Sequence, residues 1–389
     1  MLKIAKKYSL HISLVFFLLS LLQILFNMTA VLGQRELIDF SVYYGATKVF
    51  MEGQNVYAQL YGGVPFNYPP SILPFLVPFT LLPLRISQIL FTIISFSSLA
   101  VSFYYLKKVL HTIQIEIARP FFFILLAFAY QTFPVKFTLV LGQINLIVLA
   151  LTIASIYYYL ASEKYDKNYY LSLILFSIAS CLKVFPLYLL TLFFIRKDYR
   201  FFILSLVMFG LGNIIGGTTN LMFFMTNVYP SLTNLLSYPN FYDQSLFALG
   251  MRLQIPALIA KPITSVLALF IQLAILLHYK RNFHDEKVKN LNYIFVICAF
   301  LILALSSISG PFSWQHHLVF AYPLIFLFAI QYKNNIVALL VTWLFLTLHF
   351  RNDHLASLFP PILLSYQTFL ILFIVIKCIH DTNKKIIKD

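Results

Sequence analysis

Long apolar runs separated by short polar stretches make up most of the sequence. The first extends from Tyr8 to about Gly33. Others lie near 71–106, 120–134, 142–160, 168–183, 184–195, 201–217, 262–279, 291–308, 317–330, 336–350 and 359–378. A spanning helix takes about 20 apolar residues, so the pattern predicts an all-α, polytopic integral membrane protein of about 12 transmembrane helices. The first run exceeds the roughly 7–15 residues of a signal-peptide core and reads as a retained helix with a cytoplasmic N-terminus. Residues 71–106 carry Pro74, Pro78, Pro83 and Arg85, which predicts a broken helix or two short ones. The stretch 168–195, split at Lys183 and Pro186, reads as two short spans open to re-entry.

Composition agrees with the pattern. Of the 389 residues 60% are apolar and 11% charged, where a soluble globular chain carries about 25% charged residues. A water-soluble enzyme is excluded, and no stretch is polar enough to form a soluble domain, so residues 1–389 read as a single transmembrane domain. Cys181, Cys298 and Cys378 sit in apolar runs without a CxxC or Cys/His spacing, so neither a disulfide framework nor a zinc site is expected.

The net charge of +15 is high enough to raise nucleic acid as a partner, but its placement argues for topology instead. Alternating the segments puts seven groups of Lys and Arg in the cytoplasm: Lys3, Lys6, Lys7; Lys107, Lys108, Arg119; Lys164, Lys167; Arg196, Lys197, Arg200; Lys280, Arg281, Lys287, Lys289; Lys333; and Lys377, Lys384, Lys385, Lys388. These are 20 of the 28 basic residues, a positive-inside bias. They form no single basic patch, so nucleic acid is not expected as a partner. The longer external loops then fall at 34–70, 218–261, 309–316 and 351–358, and function in loops faces outward.

In the first external loop Val42, Ala46, Val49 and Phe50 form one apolar stripe with Lys48 and Glu52 opposite. This spacing predicts a short helix lying in the membrane interface. Asp39 precedes it, either as an N-cap or dipole partner or as a general base whose pKa is raised by a low-dielectric wall. Glu36 is a second carboxylate nearby. Gln143 and Asn145, Lys183, Asp243-Gln244-Ser245 with Arg252, and Ser313-Trp314-Gln315-His316-His317 are further polar exceptions on the external side. Polar groups at membrane depth are costly and by default face a cavity, although helix-to-helix hydrogen bonding explains any one of them equally well. A cavity rimmed by Lys183, Arg252, His316 and His317 and holding one acid would suit an anionic substrate with a reactive hydroxyl.

Taken in order, Asp39-Phe-Ser-Val-Tyr43-Tyr44-Gly-Ala46 with Gly53 and Tyr57, Tyr68-Pro-Pro70, Gly142-Gln143-Ile-Asn145, Lys183 with Pro186, and Ser313-Trp314-Gln-His316-His317 resemble glycosyltransferase family 87, the polyprenyl-phosphate-mannose-dependent mannosyltransferases with the C-type glycosyltransferase (GT-C) fold. The resemblance implies that Asp39 is the catalytic base. It implies that Lys183, His316 and His317 line the donor phosphate or sugar site, to which we add Arg252, Gln143 and Asn145. Glu36, Tyr43, Tyr44, Tyr68, Gln244, Ser245 and Trp314 are expected on the acceptor side or as loop support. Gln244-Ser245 stands where the family has an asparagine-serine pair. The expected partners are a polyprenyl-phosphate-linked sugar donor, a lipid or glycan acceptor and membrane lipids. No cofactor or metal is expected, since the loop offers no tight acidic pair.

Two rival classes fit less of the sequence. A secondary transporter or flippase would explain the helices, but no inverted repeat or matching pair of broken helices is visible. A lipid-linked glycan polymerase or ligase would favour a larger external loop between late helices.

Overall fold

The computed structural model describes residues 2–34, 36–234, 240–283, 291–310, 313–350 and 353–388. Lys287 and Lys289 of the charge groups, and Pro311-Phe312 of the 309–316 loop, lie outside the described residues. In chain order the helices are α1 (Leu2–Gln34), α2 (Ile38–Met51), α3 (Leu73–Thr80), α4 (Leu84–Thr112), α5 (Arg119–Gln131), α6 (Phe133–Leu141), α7 (Asn145–Leu160), α8 (Lys167–Leu182), α9 (Leu190–Ile195), α10 (Tyr199–Ile215), α11 (Thr218–Phe223), α12 (Tyr229–Asn234), α13 (Leu246–Arg252), α14 (Ala257–Phe283), α15 (Leu291–Ser309), α16 (Tyr322–Gln331), α17 (Ile336–Thr347), α18 (Asp353–Ser357) and α19 (Tyr366–Lys388). A two-residue hairpin pairs β1 (Leu60–Tyr61) with β2 (Val64–Pro65), Leu60 opposite Pro65.

Several helices start where side chains cap them. Asp166 accepts from the Tyr169 N–H at 2.8 Å at the start of α8, Ser245 from the Ala248 N–H at 2.9 Å at α13, and Asn335 from the Ala338 N–H at 3.0 Å at α17. Each satisfies a donor that the first helical turn leaves without a partner.

Among the described residues five helical segments are, by length and composition, able to cross a bilayer: Ser9–Gly33, Leu84–Thr112, Ala257–Asn282, Leu291–Ser309 and Pro361–Thr382. The count rises to seven if each bent pair is one span, α5 with α6 at 54° and α10 with Thr218–Leu232 at 106°. This is fewer than the twelve apolar runs. Pro70–Thr80, Asn145–Leu160, Phe185–Ile195 and Ile336–Thr347 are apolar but short. At about 1.5 Å per residue none of these reaches the ~30 Å of a hydrocarbon core. The stretch 71–106 is one short helix, α3, followed after Pro83 by a single 29-residue helix with Arg85 in its first turn. The external loop expected at 218–261 begins as helix and ends at Ala257, where α14 starts.

The chain divides into two compact units. The first comprises Met1–Gln131, Val135–Pro186 and Ile203–Thr233. In it α7 packs against both α4 and α8, and α1 against α5. The α7–α8 seam is locked by reciprocal bonds: Ser155 Oγ donates to the Ser172 carbonyl at 2.9 Å and Ser172 Oγ to the Ser155 carbonyl at 2.8 Å. Small hydroxyl residues let helices approach closely in an apolar setting. Gly216, at the break after α10, is a second close approach: a Cβ there would lie 2.1 Å from the Pro70 carbonyl oxygen.

The second unit comprises Thr132–Pro134, Leu187–Phe202 and Asn234–Asp389. Its core is α15, buried at every position from Ile294 to Ile308, as expected of a helix that is apolar on all sides. Helices α14, α16 and α19 pack on it.

Helix α2 differs from the expected interfacial helix in two ways. Val42, Ala46 and Val49 are buried as the stripe predicts, but so are Phe40, Tyr43, Tyr44 and Thr47, because α2 is packed against α3 and α4. It also begins one residue before Asp39, with Leu37 at the cap position and no side-chain cap. Asp39 is therefore not an N-cap. It lies in the first turn, where the helix dipole favours a negative charge.

Candidate functional site

The first unit gathers six of the expected site residues. Asp39 comes from α2, where Tyr43 follows one turn later on the same face. Tyr68 comes from the segment after the hairpin, Gln143 from the link between α6 and α7, Asn145 from the first position of α7, and Lys183 from the loop after α8.

The link reaches Asp39 because of Gly142. Its φ is +73°, and a Cβ would sit 2.7 Å from Phe40 Cβ and 2.9 Å from Leu37 Cβ, the residues flanking the start of α2. Only glycine adopts that backbone without strain and leaves that space empty. Gln143 follows, its N–H bonded to the Thr138 carbonyl at the end of α6.

Gln143 Nε2 then donates to Asp39 Oδ2 at 2.7 Å. Its Oε1 lies 3.0 Å from the hydroxyl oxygens of both Tyr43 and Tyr68, which are themselves 2.9 Å apart; with one proton on each phenol, the Tyr68 hydroxyl donates to Oε1 and that of Tyr43 is shared between Oε1 and the Tyr68 oxygen. The neighbours fix the amide's orientation: a carboxylate accepts only from Nε2, and phenols donate to Oε1. Tyr68 is held in turn by Tyr57, whose hydroxyl donates to the Tyr68 carbonyl at 2.7 Å and whose ring stacks on Phe223. Gln143 is 5% exposed, whereas Asp39 is only partly buried.

Lys183 Nζ donates to Asn145 Oδ1 at 2.6 Å and lies 5.5 Å from the Tyr68 ring centroid. Burial pushes the Asp39 carboxyl up to about 6, against the smaller opposing effects of the Gln143 hydrogen bond and the Lys183 charge. Burial pushes the Lys183 ammonium, in its loop beyond the helix end, down to about 7, with the Asp39 charge opposing. The pair combines a carboxyl able to take a proton near neutral pH with a lysine near enough for each to feel the other's charge.

The remaining first-unit residues lie aside from this cluster. Glu36 Oε2 accepts from Ser41 Oγ at 2.9 Å. Tyr44 donates to the Leu82 carbonyl at 2.8 Å, with Lys48 4.8 Å from its ring centroid. A link not foreseen from the sequence runs from Arg85 through the buried Gln88 to Ser41. Its signal was a lone glutamine in an apolar helix.

In the second unit the expected residues form a cluster of their own. Arg252 Nη1 donates to Ser365 Oγ at 2.8 Å, and Nη2 to the carbonyls of Asn240 and Asp243, both at 2.8 Å. Gln244 Nε2 donates to the Leu364 carbonyl at 2.7 Å, and Gln244 Oε1 accepts from the Gln367 N–H at 3.2 Å. Asp243 Oδ1 accepts from the Ser245 N–H at 2.8 Å, and burial pushes its carboxyl up. Asp243 also bridges Trp314 as an isolated antiparallel pair. His316 is buried and His317 partly so, their ring centroids 4.3 Å apart with Trp314 beside His316. Arg252 and Gln244 are thus engaged with the protein's own carbonyls, and the roles of Trp314, His316 and His317 rest on the resemblance alone.

Among the described residues no group of three or more His, Cys, Asp or Glu is placed to hold a metal ion. The three cysteines are free and buried.

No curated protein matches the chain. The profile of glycosyltransferase family 87 matches residues 66–307. That stretch contains Tyr68, Gln143, Asn145, Lys183, Gln244, Ser245 and Arg252. Asp39 lies before it and is joined to it by Gln143. With more than half of its length matched, the chain belongs to glycosyltransferase family 87 and is a membrane glycosyltransferase.

Proposed function

We propose that the protein transfers a hexose, mannose on the family resemblance, from a polyprenyl-phosphate-sugar donor to a hydroxyl of a lipid or glycan acceptor, with inversion and with Asp39 as general base. The observation that carries the reading is a partly exposed carboxyl in the first turn of α2, raised to about 6 and hydrogen-bonded by Gln143 from within the family-matched stretch.

The chemistry follows from these groups. The acceptor O–H bond breaks, its proton passes to Asp39, and the oxygen attacks the anomeric carbon from the face opposite the phosphate. The C–O bond to phosphate breaks, and the leaving group departs as a phosphate anion, which needs no general acid. Lys183 is the cation assigned to its charge. A polyprenyl tail lies in lipid while its head reaches the site. The positive-inside bias supports a multi-pass protein of the plasma or inner membrane with cytoplasmic termini and an external site.

The test uses purified full-length protein in detergent with a panel of polyprenyl-phosphate sugars and a crude lipid acceptor extract. Release of polyprenyl phosphate in step with a new glycoside, lost in Asp39→Ala, supports the reading. A variant as active as wild type, or no donor consumed by wild type, overturns it.

A further inference from the structure

Gln143 was expected at the donor, but its surroundings assign it elsewhere. It is buried, while the carboxyl it touches is partly exposed, so the amide lies on the protein side of Asp39. Both ends of the amide are occupied: Nε2 by Asp39, Oε1 by the hydroxyls of Tyr43 and Tyr68. The acceptor end of such an amide is filled, and one of its two N–H donors is committed to Asp39. Among the described residues no donor reaches the other carboxyl oxygen, Oδ1.

We propose that Gln143 is a positioning residue that holds Oδ2 of Asp39 so that Oδ1 is the oxygen presented to the acceptor hydroxyl, with Tyr43 and Tyr68 fixing the orientation of the amide. The inference rests on the reading of Asp39 as base. A carboxylate anchored through one oxygen loses the rotation that would otherwise average its two oxygens over the reacting proton. Preorganisation of this kind acts on the rate of the chemical step and not on donor binding. The hydrogen bond also stabilises the charged carboxylate, so its loss makes Asp39 harder to ionise.

Four proteins separate the outcomes: wild type, Asp39→Asn, Gln143→Met and Tyr68→Phe, assayed full-length in detergent with the donor panel across pH. Asp39→Asn is expected to be inactive. In Gln143→Met, kcat is expected to fall about a hundredfold, the size of effect that a small misplacement of a reacting group produces. Its donor KM stays near wild type and its acidic limb moves to higher pH. Tyr68→Phe keeps the amide but loosens it, giving a smaller loss with the limb displaced in the same direction, and it decides the matter if Gln143→Met does not fold. If Asp39→Asn is inactive while Gln143→Met keeps its kcat, or raises donor KM alone, or leaves the limb in place, the positioning role is overturned and the base survives. If Asp39→Asn is active, or wild type consumes no donor, the functional reading fails and this inference with it.

Discussion

The two units treat buried polar side chains in opposite ways. Around Asp39, side chains bond to side chains: carboxyl to amide, amide to phenols, lysine to asparagine. Around Arg252, side chains bond mainly to backbone: the guanidinium to two carbonyls, Gln244 to a carbonyl and an N–H, Ser245 to the first turn of α13. Side-chain-to-backbone bonds tie segments together and satisfy groups that burial would leave costly. Bonds among side chains orient chemical groups and leave a carboxyl oxygen available. The first arrangement suits the chemistry proposed for Asp39, and the second suits the holding of a fold.

Perturbing each cluster should therefore give different signatures. The largest effect expected is Asp39→Ala, with turnover reduced about 10²–10⁴-fold and the thermal transition kept near wild type. A large loss of stability would place Asp39 with the structural residues instead. Next is Arg252→Ala, which strands the carbonyls of Asn240 and Asp243 and the Ser365 hydroxyl. About 3 kcal/mol of stability should be lost, about 1 for each buried polar group left unsatisfied, with donor KM little changed in the fraction that remains folded. Unaltered stability with a raised donor KM would return Arg252 to the phosphate site.

The pH dependence is the third. A carboxyl acts as the proposed base only when ionised, and that of Asp39 is raised to about 6. Activity should be present above that value and fall as pH drops through it, about tenfold for each unit below. A limb near 4 would mean an ordinary solvated carboxyl. The smallest effect is Ser245→Ala, which removes the cap of α13 and should cost about 1 kcal/mol, read as a lower melting temperature with kcat and KM intact.

This contrast was only partly legible in the sequence. Asp39, Gln143, Asn145, Lys183, Arg252 and the histidine pair stood out as polar exceptions in apolar runs, and Tyr43 and Tyr68 in the motifs that carry the resemblance. Which exceptions bond to other side chains and which to backbone was hidden, because a bond to a backbone carbonyl leaves no residue-type signature at the accepting position. The contact between Gln143 and Asp39 spans 104 positions and depends on the absent side chain at Gly142, a packing fact that spacing does not encode. Element positions were largely legible from apolarity. The breaks at Pro83 and at Lys183 were legible from their residues, but the 54° and 106° bends were not, since hydrophobicity marks what a residue prefers to touch and not the direction of the chain.

The core helix of the second unit carries one more consequence. In α15 83% of the apolar window is buried inside the protein, against 17% in the neighbouring α14. Helix α14 leaves most of its 26-residue apolar stretch unburied by the protein; it is about 39 Å long at the usual rise, and in a thinner bilayer a span of that length would tilt. Helix α15 is wrapped by its own chain and is insulated from that mismatch. Bilayer thickness would therefore act on this unit through α14 and the half-buried α19, whose apolar window is 50% buried, and least through α15.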